Sequence, residues 1–382
     1  MTGRPGSGAG GASDGAGLTC RPATGDDLDT CAAIWRDALN DYLGRLAQPE
    51  IPDDLGPILR LYAHLRTTDP TTFVVAERAG RAGRGGAAID GFAVAVRRDG
   101  LWFLSMLFVR PAAQARGLGR MLLDAVAPTE HEDGGGDATG HEDIGNGPGN
   151  GPVDRRGRAA LLARATATDS VQPISNGLYG SLGMVPRMPL LRMVGLPTRP
   201  GTFPALPDGV EPIGFDEVGD DVAEDRSPSV AAAARTPSAP TGGGGRGLER
   251  SALDGELAAL DTDAVGFSRA VDHAYHATEG RRGFLYRGRD GAAVAYGYTS
   301  EAGRIGPVAT RDPSLLGPIV GHLVHAVRPR GAFGVWVPGA ADAAVVPLLR
   351  AGFRFEGFPV LLCWDRPFAD FARYVPMSPG LL

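Results

Sequence analysis

The residues of this chain best placed to do chemistry stand in PAAQARGLGRMLL, residues 111–123. An apolar run, LWFLSMLFV (101–109), leads into the stretch, and helical periodicity follows it. Gly117, Gly119, Arg116, Arg120 and Gln114 gather at the predicted start of that helix, with no acidic residue before Asp124. A helix start ordinarily favours Asp or Glu, because its free N–H groups carry partial positive charge. Omitting the acids and adding glycines suits a site that takes its negative charge from a ligand. With no Cβ atoms at the strand-to-helix turn, a ligand's oxygens can approach several N–H groups at once, and the helix dipole favours an anion there. The stretch is not a Walker A loop, since no GK[ST] follows, nor a GxGxxG fingerprint, since position 122 is Leu. Read without a ligand, the same glycines make a tight turn with close helix–sheet packing.

Other reactive residue types give weaker patterns. Cys20, Cys31 and Cys363 are an odd, scattered set with no CxxC, which fits a reducing compartment and supplies no disulfide framework or zinc site. His131-Glu132-Asp133 and His141-Glu142-Asp143 repeat within ten residues, but in a Gly-rich segment with no scaffold to fix ligand geometry. No metal is therefore expected. His322 and His325 are spaced i, i+3 and lack the acid of HExxH, so they read as a packed or solvated helix face.

The elements that must position the 111–123 stretch can be read from periodicity. A short strand is expected at about 18–22, followed by helices at 26–44 and 54–67. In the first helix Leu28, Cys31, Ala32, Trp35 and Leu39 form an apolar stripe. TTFVVAER (71–78) and DGFAVAVRR (90–98) read as strands, and Arg98-Asp99-Gly100 as a hairpin turn into the 101–109 strand. A helix over 113–126, a strand over 159–166, a helix over 173–182 and a pair of strands around 184–195 complete one cycle.

A second cycle follows the same order. It has strands at 210–213, 283–288, 292–300, 303–310 and 333–338, and a last strand after 353. Its helices fall near 254–260, 267–278, 315–327 and 343–353. Such a repeat suggests a duplicated domain, or else two unrelated domains of one class. The fold class is mixed α/β (α+β): two tandem domains, 18–196 and 206–382, each a central mixed sheet flanked by helices. Residues 1–17, 127–158 and 219–250 are Gly-, Ser-, Pro- or acid-rich and read as a disordered tail and two disordered insertions.

Composition narrows the partners. The formal net charge of −6 has its largest contribution in the acidic 127–154 segment, so the remainder is close to neutral and asks for neither nucleic acid nor an anionic membrane. All 38 basic residues are arginine, so a phosphate must be met by Arg, backbone N–H or hydroxyl groups. There is no apolar h-region at the start and no run of 18 apolar residues, which predicts a cytoplasmic protein without a membrane span.

Val109, Pro111, Gln114, Arg116, Gly117, Gly119, Leu122 and Leu123 follow V-x-P-x-x-Q-x-R-G-x-G-x-x-L-L without a gap, and Leu178-Tyr179-Gly180-Ser181-Leu182-Gly183 follows L-Y-x-x-x-G. On these two motifs the chain resembles the GNAT superfamily of acyl-CoA-dependent N-acetyltransferases. The likeness is strong over 18–196; over 206–382 it rests on element order and PLLRAGF. The resemblance implies that backbone amides around 116–121 hold the pyrophosphate of acetyl-CoA, with Arg116 and Arg120 as charged supplements. It also implies that the backbone of Leu107, Phe108 and Val109 pairs with the pantetheine arm, as an extra strand pairs with a splayed sheet. The implied cofactor-binding set is these three with Gln114, Ala115, Arg116, Gly117, Leu118, Gly119, Arg120 and Asn176. Tyr179 stands where the family keeps the general acid that protonates the departing thiolate, although it also suits an amphipathic core position.

Many relatives carry a Glu on the strand before the turn; here that strand offers only Ser105. The base is left unassigned, with His64 either a candidate or an ordinary helix-face residue. The second copy has Leu348 at the position of Tyr179, and its turn, RDPSLLGP, lacks Gln-x-Arg and Gly-x-Gly and carries Asp312. It is expected to bind no cofactor and either to shape the acceptor pocket or to support the first copy. The implied activity is N-acetylation of a small-molecule or peptide amine by direct attack on the thioester, there being no Cys or Ser nucleophile paired with a His. A non-catalytic acyl-CoA-binding or sensor protein is the alternative. Neither the acceptor nor the oligomeric state is legible.

Overall fold

The structure, a computed structural model, describes residues 17–79, 88–128, 162–199, 201–217 and 250–382. The segments read as disordered lie outside these residues except at positions 17, 127, 128 and 250. The chain forms two compact units, 1–96 with 103–130 and 97–102 with 131–382. This division runs elsewhere than the 196–206 boundary read from the repeat, since residues 162–199 belong to the second unit.

In the first unit, β1 (Leu18–Pro22) leads to α1 (Leu28–Arg45) and α2 (Gly56–Thr68), then to β2 (Phe73–Arg78), β3 (Ala88–Arg98), β4 (Leu101–Val109) and α3 (Leu118–Val126). The sheet order is β1-β2-β3-β4, with β1/β2 and β2/β3 antiparallel. β3 is buried along almost its whole length. That is why Phe92, Val94 and Val96 alternate with alanines rather than with polar residues. Phe73, Phe92, Leu65, Leu122 and Ile34 are fully buried here. Tyr62 meets Phe73 and Phe92 edge-on at 5.8 and 5.4 Å.

Local chemistry starts α1. The Asp27 carboxylate accepts the Thr24 N–H at 2.7 Å and an Arg21 N–H at 2.7 Å, and the Arg21 contact holds it down at about 2. The stripe of α1 is rotated from the expected one: Cys31, Ala32, Ile34 and Ala38 are buried, and Trp35 and Leu39 are half-buried. Packing here selects the smaller side chains, which let the helix lie close to its neighbours.

In the second unit the order is β5 (Ala163–Asp169), α4 (Pro173–Gly180), β6 (Val185–Gly195), β7 (Glu211–Gly214), α5 (Arg250–Val265), α6 (Ala270–Thr278), β8 (Arg282–Arg287), β9 (Ala293–Thr299) and β10 (Arg304–Thr310). Then come α7 (Leu316–Ala326), β11 (Phe333–Pro338), α8 (Asp342–Ala351), β12 (Arg354–Phe355), β13 (Val360–Trp364) and β14 (Tyr374–Val375). The sheet order is β5-β13-β6-β11-β10-β9-β8-β7, with β12 beside β6 and β14 beside β10. Among the described pairings only β10/β11 is parallel. Residues 185–195 form one long strand where two were expected, with β13 on one edge and β11 on the other. Pro186, with no N–H to give, faces Cys363 where the β6/β13 register slips. β14 has no counterpart in the expected order.

Candidate functional site

The 111–123 stretch is a turn before it is a helix. Pro111–Ala113 makes a single 3₁₀ turn, and the Gln114 amide donates Nε2–H to the Val109 carbonyl at 3.0 Å, tying the turn to the end of β4. Ala115 (φ 62°) and Gly117 (φ 79°) are both left-handed. Glycine takes that conformation freely, while alanine gives up about 1 kcal/mol or more to hold it. The two residues exclude a right-handed helix through 113–117, so α3 begins at Leu118 rather than at 113.

The left-handed residues flank Arg116, and the turn they make leaves successive N–H groups unpaired, a concavity suited to an anion. The first intrahelical bond runs from the Met121 N–H to the Gly117 carbonyl at 3.1 Å. Among the described residues no carbonyl takes the N–H groups of Arg116 through Arg120. Ala115, Arg116, Gly117 and Arg120 are exposed, Gly119 is half-exposed, and Leu118 is buried and roots the helix. The first turn of α3 contains no acid. Arg120 donates to Asp124 at 2.9 Å, both side chains more than half exposed, a contact worth little in water.

Upstream, β4 is buried from Leu101 to Met106, while Leu107, Phe108 and Val109 are half-exposed. Phe108 stacks on Phe92 with centroids 5.7 Å apart. Gly91 makes that approach possible: a Cβ there would lie 2.8 Å from the Phe108 carbonyl oxygen. Gly91 was missed in the sequence, and its only signal there was a glycine inside a strand. Ser105 is buried, and His64 is half-buried on α2.

The two remaining predicted residues lie together on α4, in the second unit. Tyr179 is 5 % exposed, and burial pushes its phenol well above the ordinary value, with Cys363 adding to the effect. Such a hydroxyl keeps its proton at any physiological pH. Asn176 spends both donors locally, on the Asp169 carbonyl at 3.0 Å and the Gln172 carbonyl at 2.8 Å, so its amide fastens α4 to the end of β5. Its Oδ1 is buried without a partner. Asp169, passed over in the sequence, is a carboxyl whose pKa burial raises. The structure thus gathers Leu107, Phe108, Val109, Gln114, Ala115, Arg116, Gly117, Leu118, Gly119 and Arg120 in the first unit, and Asn176 and Tyr179 in the second.

Burial raises Cys31 to about 12 and Cys363 to about 11, so neither is a thiolate at neutral pH. Among the described residues no three His, Cys, Asp or Glu side chains group as metal ligands, and both His-Glu-Asp repeats lie outside the described residues. His322 bonds the Tyr286 hydroxyl at 2.9 Å and His325 the Gly321 carbonyl at 2.6 Å. No described helix is long and apolar enough to cross a membrane.

The fold is mixed α/β, and its β4 strand runs into an acid-free, left-handed turn and an open helix N-terminus, a geometry that suits an anion. Residues 33–134 match the sequence profile of the acetyltransferase (GNAT) family. An acetyltransferase candidate from Pyrococcus horikoshii superposes with a TM-score of 0.60 at 14% identity, over 96% of this chain and 96% of its own. A GCN5-related N-acetyltransferase from Sphaerobacter thermophilus gives 0.49 at 15% identity, covering 93% of this chain and 98% of that one. A tandem GNAT protein from the clavulanic acid biosynthesis pathway gives 0.43 at 14%, covering 92% and 99%. At 14% identity the likeness to the Pyrococcus horikoshii protein is one of fold. No curated protein matches the sequence.

Proposed function

We propose that this chain is an acetyl-CoA-dependent N-acetyltransferase acting on a small-molecule or peptide amine. The observation that carries the reading is the run of unpaired N–H groups from Arg116 to Arg120, set behind two left-handed residues with no acid in the turn. A pyrophosphate fits such a cradle: it brings the negative charge the turn lacks and accepts from several donors at once. Arg116 and Arg120 are exposed at the turn, and Leu107 to Val109, half-exposed at the end of β4, would pair through their main chain with the amides of a pantetheine arm.

Bound acetyl-CoA supplies an activated thioester. In the reaction a C–N bond forms as the C–S bond breaks, the thiolate takes one proton, and the nitrogen gives one up. Tyr179 is the proton donor in this reading: burial keeps its hydroxyl protonated, so it holds a proton for the departing thiolate. Direct transfer is favoured over an acyl-enzyme, since burial holds Cys31 and Cys363 as thiols.

Calorimetric titration of the full chain and of Gly117→Glu with acetyl-CoA tests this. One site per chain, lost in the variant, is the expected result. No binding by the parent chain reduces the glycines to a tight turn. Binding without amine-dependent CoA release from a broad amine panel leaves a non-catalytic acyl-CoA-binding protein.

A further inference from the structure

The second copy contains the same strand–turn–helix element, β10 to α7, and there another segment of the chain lies along the end of the strand. β10 pairs with β11 only at Arg304 and Ile305. Its register with β9 then breaks between Ile305 and Val308, and from there β10 pairs with β14, Val308 opposite Val375 and Ala309 opposite Tyr374. The Thr310 N–H continues the contact by donating to the Arg373 carbonyl at 3.1 Å. Residues 373–376 fit closely: a Cβ on Gly306 would lie 2.7 Å from the Pro376 carbonyl oxygen.

The inserted strand is anchored from both sides. Tyr374 and Val375 are wholly buried. Arg269, itself buried, donates to the Tyr374 hydroxyl and, at 2.8 Å, to the main-chain oxygen of Leu382, and its guanidinium stands 4.7 Å from the Tyr374 ring centroid. Arg373 reaches the Asp263 carboxylate at 2.9 Å and the Asp263 carbonyl at 2.7 Å. The phosphate end is filled too. Where the first copy has an acid-free turn, the Asp312 carboxylate accepts the Ser314 N–H at 2.8 Å and supplies the negative charge from within.

We propose that residues 373–376 are a built-in stand-in for the acyl-carrying arm, and that with Asp312 they close the second copy to acyl-CoA in the full chain. This rests on the reading that the corresponding element of the first copy, 107–121, takes acetyl-CoA.

Amide hydrogen exchange on the full chain, with and without saturating acetyl-CoA, reads both copies at once. Exchange should slow by about tenfold or more at 107–121 and stay unchanged at 306–310 and 373–376. Slowing at 306–310 overturns the closure. No slowing at 107–121 counts against the first-copy reading instead, and a second arm still decides the slot. Val375→Pro removes an N–H from the inserted strand, so the amides of 308–310 should exchange about tenfold faster, and millimolar S-acetylpantetheine should slow them again. If S-acetylpantetheine leaves them unprotected, the slot is not built for such an arm and the proposal fails. Tyr374→Phe loses only the contact to Arg269 and serves if the proline unfolds the unit. Faster exchange confined to 308–310 and 373–376 supports the anchor, and faster exchange spread over the whole sheet overturns it.

Discussion

Nη2 of Arg269 stands 2.7 Å from Oδ1 of Asp261, with the side chains 1 % and 0 % exposed. Two charges removed this completely from water hold only if every remaining donor and acceptor is met. Here the His273 ring reaches the other carboxylate oxygen at 2.9 Å and the Tyr298 hydroxyl at 2.8 Å, and Tyr296 also bonds the pair.

That network fixes an acid limit to stability. Burial alone would raise the Asp261 carboxyl, but Arg269 and His273 outweigh it and hold it at about 2. A carboxyl lowered on folding stabilises the folded state fully above its unfolded value, about 3.9, and the stabilisation is lost as pH falls towards 2. Asp27, also at about 2, adds to the same limb. Thermal unfolding followed from pH 5 to pH 2 should show a falling Tm, and Asp261→Asn should be less stable by about 3–5 kcal/mol at pH 7 with a shallower fall. Equal slopes in the two chains would remove Asp261 from the account.

Gly91→Ala tests the approach of β3 to β4. The new Cβ would meet the Phe108 oxygen at 2.8 Å and Leu122 Cδ1 at 3.0 Å, so backbone must move. A loss of about 1–3 kcal/mol in denaturant unfolding is expected, together with weaker acetyl-CoA binding through the displaced Phe108–Val109 edge. Unchanged affinity would mean that this edge does not touch the cofactor.

Tyr179→Phe separates chemistry from binding. The hydroxyl is the only group removed, so amine-dependent CoA release should fall by about 10²–10⁴-fold while acetyl-CoA affinity stays the same. Equal rates would leave Tyr179 as a core residue of α4.

Arg116→Gln removes one exposed cation from the cradle and leaves the turn intact. Acetyl-CoA affinity should drop about tenfold at low salt, and the gap should narrow as ionic strength rises, because exposed charges are screened. A loss that salt does not alter would point to turn geometry rather than charge.

The sequence alone determined the acid-free turn before α3, because its causes are local. Gly117 can be left-handed whatever surrounds it, the absence of acids is visible by inspection, and Gln114 reaches a carbonyl only five residues back. It also determined β1 to β4 and the order of elements from apolar periodicity, although it started α3 too early because Ala115 gives no sign of a left-handed φ. What only the tertiary structure decided is which strands pair. An alternating pattern says that a strand has a buried face and says nothing of its neighbours, so neither the pairing of β6 with β11 and β13 nor the insertion of Tyr374–Val375 beside β10 could be read. The same holds for Arg269, which looks like any surface arginine in the sequence. Its burial follows from Asp261, Tyr296, Tyr374 and Leu382, from 8 to 113 residues away, converging on it from separate elements.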